Sequence, residues 1–149
     1  MNKTITNNEI EKFFSTMNSN DNFMHNTKLK MPAKVRQAIR INFKTLSDRA
    51  ELIQSSRTDI IKGYVDSGDA EVSDDGLKFK NHLKEAVKEL NDLENVENTL
   101  DIQTIDNEAL DAFLDKTELS MDEEDVLEFF REEKKEEKKD EPKTDEKAE

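Results

Sequence analysis

Cysteine is absent from the 149 residues, which excludes a disulfide framework, a thiolate nucleophile and any cysteine-liganded zinc. A reducing, cytosolic setting is compatible with that absence. Histidine is nearly absent. His25 lies in a polar stretch and His82 on an amphipathic one, and neither has a second His or Cys at ligand spacing. Three glycines leave no G-x-S-x-G elbow, no P-loop and no G-x-G-x-x-G turn, so triad hydrolases and nucleotide cradles lack their usual parts. Carboxylates abound, but glycosidase-type chemistry needs two of them across a cleft with separated pKa values, and abundance is not pairing. No run of 18 apolar residues occurs, and the N-terminal MNKTITNNE has no apolar h-region, which argues against a membrane span and against signal-directed secretion. The expectation is a protein that is not an enzyme, with no catalytic residue, no cofactor and no metal.

What is present is charge. Forty per cent of the residues are charged and 33% hydrophobic, a lean core that implies part of the chain stays solvated. The expected organisation is one helical domain over 1–130 and a charged tail over 131–149, partly helical and then disordered. The charge is unevenly spread. Residues 1–44 carry eight Lys/Arg against three Asp/Glu, whereas residues 94–130 carry one against thirteen, a local net charge of −12. A basic third and an acidic third either neutralise each other within the chain or recognise an outside partner.

The longest patterned stretch runs from Lys28 to Val65. Val35, Ile39, Phe43, Leu46, Ala50, Ile53, Ile60 and Tyr64 keep the three-to-four spacing of one helical face, with Arg57 falling on the same line. Pro32 suits a first-turn position, Gly63 and Gly68 mark the far end, and Ser55-Ser56 is the expected weak point. A helix of roughly 30 residues spans about 45 Å, more than a compact domain of this size. It must therefore break, protrude or lie against a partner. Arg57 is expected to snorkel at the helix-pair edge, to pair with an acid downstream, or to form a buried ion pair.

Thr6-Asn7-Asn8-Glu9 reads as a capping box, with Ile5 and Ile10 at the hydrophobic-staple positions, opening a helix that stops near Asn18. Phe23 and Met24 are expected to pin the loop that follows. DSGDAEVSDDG at 66–76 reads as an exposed tip between helices; its acids lack the spacing and the closing Glu of a calcium loop. Phe79, Leu83, Ala86, Val87, Leu90 and Leu93 predict a return helix over about 77–94 and so an αα-hairpin. TLDIQTI at 99–105 alternates like a strand and needs a partner: Lys3–Thr6, the turn near Val72, or a second molecule. Leu110, Phe113 and Leu114 predict a short helix, and Ser120 to Glu123 a second capping box before Val126, Leu127, Phe129 and Phe130. In the tail, EEKKEEKK opposes helix because its i,i+4 pairs share a sign, so any helix frays before Pro142. The expected fold class is mainly α: an αα-hairpin built on one long helix, with a short N-terminal helix, one minor β segment and C-terminal helices.

Among surfaces, Arg36, Arg40 and Lys44 stand at i, i+4, i+8, and six cations fall between Lys28 and Lys44 with no acid among them. Such a face can neutralise phosphates or dock on an acidic protein surface. No aromatic interleaves for base stacking, and a chain of net charge −13 repels nucleic acid as a whole, so a protein partner is favoured.

The order LKMPAKVRQAIRINFKTL, IIKGYVD, an acidic turn, FKNHLKEAVKELNDLENVE, LDIQTI and a final LEFF resembles a group of small helical proteins from phages and prophages of low-GC bacteria. Many of these open the long helix with L-P-A-K-V; here Met31 stands in place of the usual Leu before Pro32. The resemblance covers about residues 9–130, leaves out the charged tail, and rests on the order of segments rather than on one motif. It implies a phage setting and a non-catalytic role, in the host cytoplasm or with the virion. The first functional expectation is a structural or assembly-helper protein acting through helix surfaces on a phage or host protein, with homo-oligomerisation as an option. The second is an acidic host-directed inhibitor, a nucleic-acid mimic or anti-defence protein using residues 94–130. The third is nucleic-acid binding through Arg36, Arg40 and Lys44. No membrane partner is expected.

Overall fold

The structure is a computed structural model that describes residues 1–19 and 30–133. The expectations for Phe23, Met24, His25, Lys28 and the tail beyond residue 133 lie outside the described residues. In chain order the elements are β1 (Asn2–Thr6), α1 (Asn7–Asn18), α2 (Ala33–Asp66), β2 (Ala70–Ser73), β3 (Gly76–Phe79), α3 (Leu83–Glu94), β4 (Glu97–Asp101), α4 (Asn107–Lys116) and α5 (Met121–Phe129).

The fold class therefore needs correction. Two small antiparallel sheets, four strands in all, stand where one minor β segment was expected, alongside five helices that make up 63% of the described residues. Helices α2 and α3 are not joined by a simple turn. The acidic tip folds as a β-hairpin with Ala70 opposite Phe79 and Val72 opposite Leu77. The alternation of Glu71, Val72 and Ser73 with Leu77, Lys78 and Phe79 is a period of two hidden inside a charged stretch. Asp74-Asp75 turns the chain, and Gly76 at φ +112° supplies a backbone conformation that a side chain disfavours. The return helix accordingly starts at Leu83, not near 77.

Helix α2 runs unbroken through Ser55-Ser56 for 34 residues, about 51 Å at 1.5 Å per residue. Pro32 is its N-cap and not its first helical residue. The helix passes Gly63 and ends before Gly68, whose φ of +87° is the left-handed turn that commonly follows a helix C-terminus. Its N-terminal half carries the core. Val35, Ile39, Leu46, Ala50 and Ile53 are buried and pack with Ile10, Met17, Leu100, Leu110, Leu127 and Phe130.

Both expected capping boxes form, Thr6 with Glu9 and Ser120 with Glu123. The strand forms over Glu97–Asp101, shifted from the expected 99–105, and pairs with β1: Leu100 and Thr99 of the expected segment lie opposite Lys3 and Thr4, while Ile5 and Thr6 lie opposite Asn98 and Glu97 outside it. Its end is held otherwise. The Asn42 side chain, fully buried, donates to the Gln103 carbonyl at 2.9 Å and accepts from the Gln103 N–H at 2.8 Å, so an α2 amide takes the place of a neighbouring strand. Ile105 then bridges to Arg131, its N–H donating to the Phe130 carbonyl and its carbonyl accepting from the Glu132 N–H. The contacts of the fold thus continue to Glu132.

No member of the main core lies between residues 54 and 99. The C-terminal half of α2, the β2–β3 hairpin and α3 form a thinly packed arm. Ala70 and Ala86 are its buried apolar side chains, with Tyr64 packed edge-on against Phe79 at 5.6 Å.

Candidate interaction surfaces

The basic stripe expected on α2 is present, and all three of its side chains are exposed. Lys44 is occupied within its own helix, 2.8 Å from Asp48, and that carboxylate raises its pKa. Arg36 and Arg40 have no ion pair with any described residue. Lys34 turns to the other side of the helix and reaches Asp106 at 3.2 Å across a groove of about 310 Å³, lined also by Gln37, Ile41, Gln103 and Glu132. Asp106 is the N-cap of α4. The Ala109 N–H and then Lys34 hold its carboxyl below the ordinary carboxylate range. Of the basic third and the acidic third, this is the one side-chain ion pair between described residues that joins them. The Met1 ammonium adds a second link, 3.1 Å from Asp101.

The acidic third forms the outer surface of α4 and α5. Glu108, Asp111 and Asp115 are exposed at i, i+3, i+7, the spacing of one helix face, and Asp122, Glu124, Asp125 and Glu128 are exposed along α5. Arg131 ties the two rows together. Its guanidinium lies 2.8 Å from Asp111 and 2.7 Å from Glu128, donates also to the Asn107 side chain, and is itself half-buried. Its pKa is pushed up chiefly by Glu128, while Glu128 is held below its usual range by Arg131. Glu108, Asp115, Asp122, Glu124 and Asp125 have no cation at ion-pair distance among the described residues.

Behind this surface sits Lys3, whose position in β1 turns it toward the α5 C-terminus. Its ammonium donates to the carbonyls of Phe129 at 2.5 Å and Arg131 at 2.7 Å, and lies 5.3 Å from the Phe129 ring centroid. Desolvation lowers its pKa against the pull of Glu133 and Glu128. The charge is well placed at the negative end of a helix dipole.

Arg57 departs from its expected partners. Its acid is upstream, not downstream: the two terminal guanidinium nitrogens donate to the Glu11 carboxylate, at 3.0 and 2.6 Å, clamping α1 to the C-terminal half of α2. The pair is partly exposed rather than buried. Sequence reasoning also missed Asn7 and Asn42, the two buried polar residues among those described. Nothing in a local pattern marks them, because their partners lie far along the chain: Leu93 for Asn7 and Gln103 for Asn42.

For other chemistry the surface offers little. His82 is exposed beside Glu85 at 3.3 Å, and among the described residues no three His, Asp or Glu are grouped to hold a metal. Asp66 serves Lys62, and Asp69 accepts from the Ser67 hydroxyl. No helix among the described residues is long and apolar enough to cross a membrane. Comparison with protein families, with curated proteins and with solved structures finds no match.

Proposed function

We propose that this chain is a non-enzymatic interaction protein that binds a basic protein surface through the exposed carboxylates of α4 and α5. The observation that carries the reading is the shortage of countercharge. A row of side chains at helical spacing is exposed there, and Arg131 is the cation that reaches it. An uncompensated field of one sign repels like charges, steers a complementary partner and speeds its association. The setting rests on the segment order in the sequence: a phage or prophage protein, working in the host cytoplasm or with the virion, as a structural or assembly helper.

A second reading uses the same surface. Carboxylates in two rows joined by Arg131 resemble the paired charge lines of a nucleic-acid backbone, and a protein carrying them occupies a basic site on a host enzyme as an inhibitor. Capture from phage-infected lysate separates the two. A partner that is a virion or tail component supports the helper; a host nucleic-acid enzyme released by competing duplex DNA supports the mimic. In both cases raising salt from about 0.15 M, where the Debye length is about 8 Å, toward about 0.5 M should release the partner. Retention in high salt overturns the electrostatic reading.

A further inference from the structure

The outer edge of β4 is left open by the fold. At one end of the β1–β4 pair the Met1 ammonium donates to the Ile102 carbonyl at 3.1 Å, and the Ile102 N–H donates back to the Met1 carbonyl at 2.8 Å. At the other end the Asn7 N–H donates to the Val96 carbonyl at 2.9 Å. In an antiparallel pair such exchanging positions alternate with positions whose groups point away. Leu100 and Asn98 therefore turn their N–H and C=O toward Lys3 and Ile5, and Glu97, Thr99 and Asp101 turn theirs outward. Gln103 continues that outward row, and the Asn42 side chain satisfies both of its groups. No described residue does the same for Thr99 or Asp101. Both are exposed, as is Glu97. An extended backbone with unpaired groups is a template for a further strand.

The side chains of the row select its occupant. In an added strand, residues opposite Glu97, Thr99 and Asp101 share their face of the sheet, which is the solvent side. The residues between them turn to the other side, where Leu100 is buried against α2. The first set meets two carboxylates. Glu97 has no ion pair among the described residues, and Asp101, 3.1 Å from the Met1 ammonium, keeps a side chain 87% exposed. The other cation at this strand, Arg49, is spent on the Asn98 side chain at 2.6 Å. The second set meets α2, where Ile41 is 42% exposed and lines a groove with Gln103. A second copy does not suit this edge. Two β4 strands paired about Thr99 would set each Glu97 opposite the other copy's Asp101, like charge against like.

We propose that the outer edge of β4 docks an extended segment of a partner protein that alternates basic and apolar residues. Its backbone pairs with Thr99 and Asp101, its basic side chains lie over Glu97 and Asp101, and its apolar ones turn toward α2. The site uses neither helix of the acidic face, so it goes beyond the partner binding proposed above and stands or falls without it.

Fluorescence anisotropy of the full chain with a labelled, end-capped synthetic peptide that alternates Lys and Val tests it. The peptide is expected to bind saturably. Methylating its lysine amides, which face β4 in this register, should weaken binding by about tenfold or more, and methylating its valine amides, which point away, should not. E97K/D101K alters only exposed side chains, keeps the circular dichroism, and should also lose the peptide by about tenfold or more. The variant D122N/E124Q/D125N leaves β4 untouched and should bind as the native chain does. Amide hydrogen exchange needs no variant: the Thr99 and Asp101 N–H groups should exchange freely in the free chain and be protected by the peptide, with Leu100 protected in both. Absence of saturable binding overturns the proposal. So does binding indifferent to the lysine-amide methyls or to E97K/D101K, loss of binding in the α4–α5 variant, or a Thr99 amide already protected in the free chain. A chain that shows any of these and still captures a salt-sensitive partner through α4 and α5 rejects the strand site and leaves the other reading intact.

Discussion

Tyr64 is the chain's one tyrosine, and there is no tryptophan, so its phenol can be titrated by ultraviolet absorbance without interference. It donates to Glu89 at 2.5 Å, and that bond, with desolvation, pushes its pKa up to about 12. The folded protein should ionise near that value, and E89Q should bring it back toward the ordinary 10. The sign follows. The folded value lies above the unfolded one, so the contribution to stability is complete below about pH 10 and is lost as pH rises through the folded value. An unchanged titration in E89Q would remove this link between α2 and α3. His82 holds the other informative backbone: φ +61° at the N-cap of α3, without a side-chain cap. Replacing it with glycine removes the left-handed penalty and should raise stability by roughly 0.5–1 kcal/mol in urea unfolding. Asn42 acts in the opposite direction. N42A leaves the Gln103 N–H and carbonyl without their partner and should cost about 2–4 kcal/mol, because a buried polar group keeps its desolvation penalty when its partner is lost.

At the scale of elements, local signals were readable and non-local ones were not. Thr6 to Glu9 and Ser120 to Glu123 announce helix starts because the capping partners are three residues apart. The α2 stripe announces itself because its period repeats over many turns. The β2–β3 hairpin did not. Each strand is four residues long, and the intervening Asp74-Asp75 made the stretch look like a solvated tip. Phe79, counted toward a helical period, belongs to a strand, which moved the start of α3. For the surfaces, the stripe of Arg36, Arg40 and Lys44 was legible from spacing. That Lys44 is taken by Asp48 was legible too, because the two stand at i, i+4 on one helix; that Arg131 gathers Asp111 as well as Glu128, from two helices, depends on packing that no window of sequence contains. The clamp of Arg57 on Glu11 makes a testable element-level claim. A double-mutant cycle with R57M and E11Q should give a coupling of about 1 kcal/mol, more than a fully exposed pair, because the contact is bidentate and partly shielded. A coupling near zero would reduce it to a surface contact.

For the molecule as a whole, the division of packing matters as much as the division of charge. One core holds α1, the first half of α2, both strands of the β1–β4 sheet, α4 and α5, and the arm lies outside it. Amide hydrogen exchange should therefore be slowest in α1 and the first half of α2, and faster by orders of magnitude in β2, β3 and the first turns of α3. Acid should act on the carboxylates held below their ordinary range: Glu128 by Arg131, Asp106 by the Ala109 N–H and Lys34, and Glu85 by its own N–H and His82. Their contribution is complete above the unfolded carboxylate range, from about pH 5, and disappears as pH falls through the depressed folded values. Stability should fall most steeply below about pH 4, where a linear loss from pH 7 downward would not fit.

The acidic face of α4 and α5 is the proposed working part. Three forms of the chain, compared in one capture experiment from phage-infected lysate at about 0.15 M salt, test it most directly: native, the neutralised face D122N/E124Q/D125N, and the neutralised stripe R36Q/R40Q/K44Q. These substitutions touch exposed side chains and should leave circular dichroism unchanged. The partner held by the native chain should be kept by the stripe variant and lost from the face variant. A partner kept by the face variant and lost from the stripe variant would contradict it.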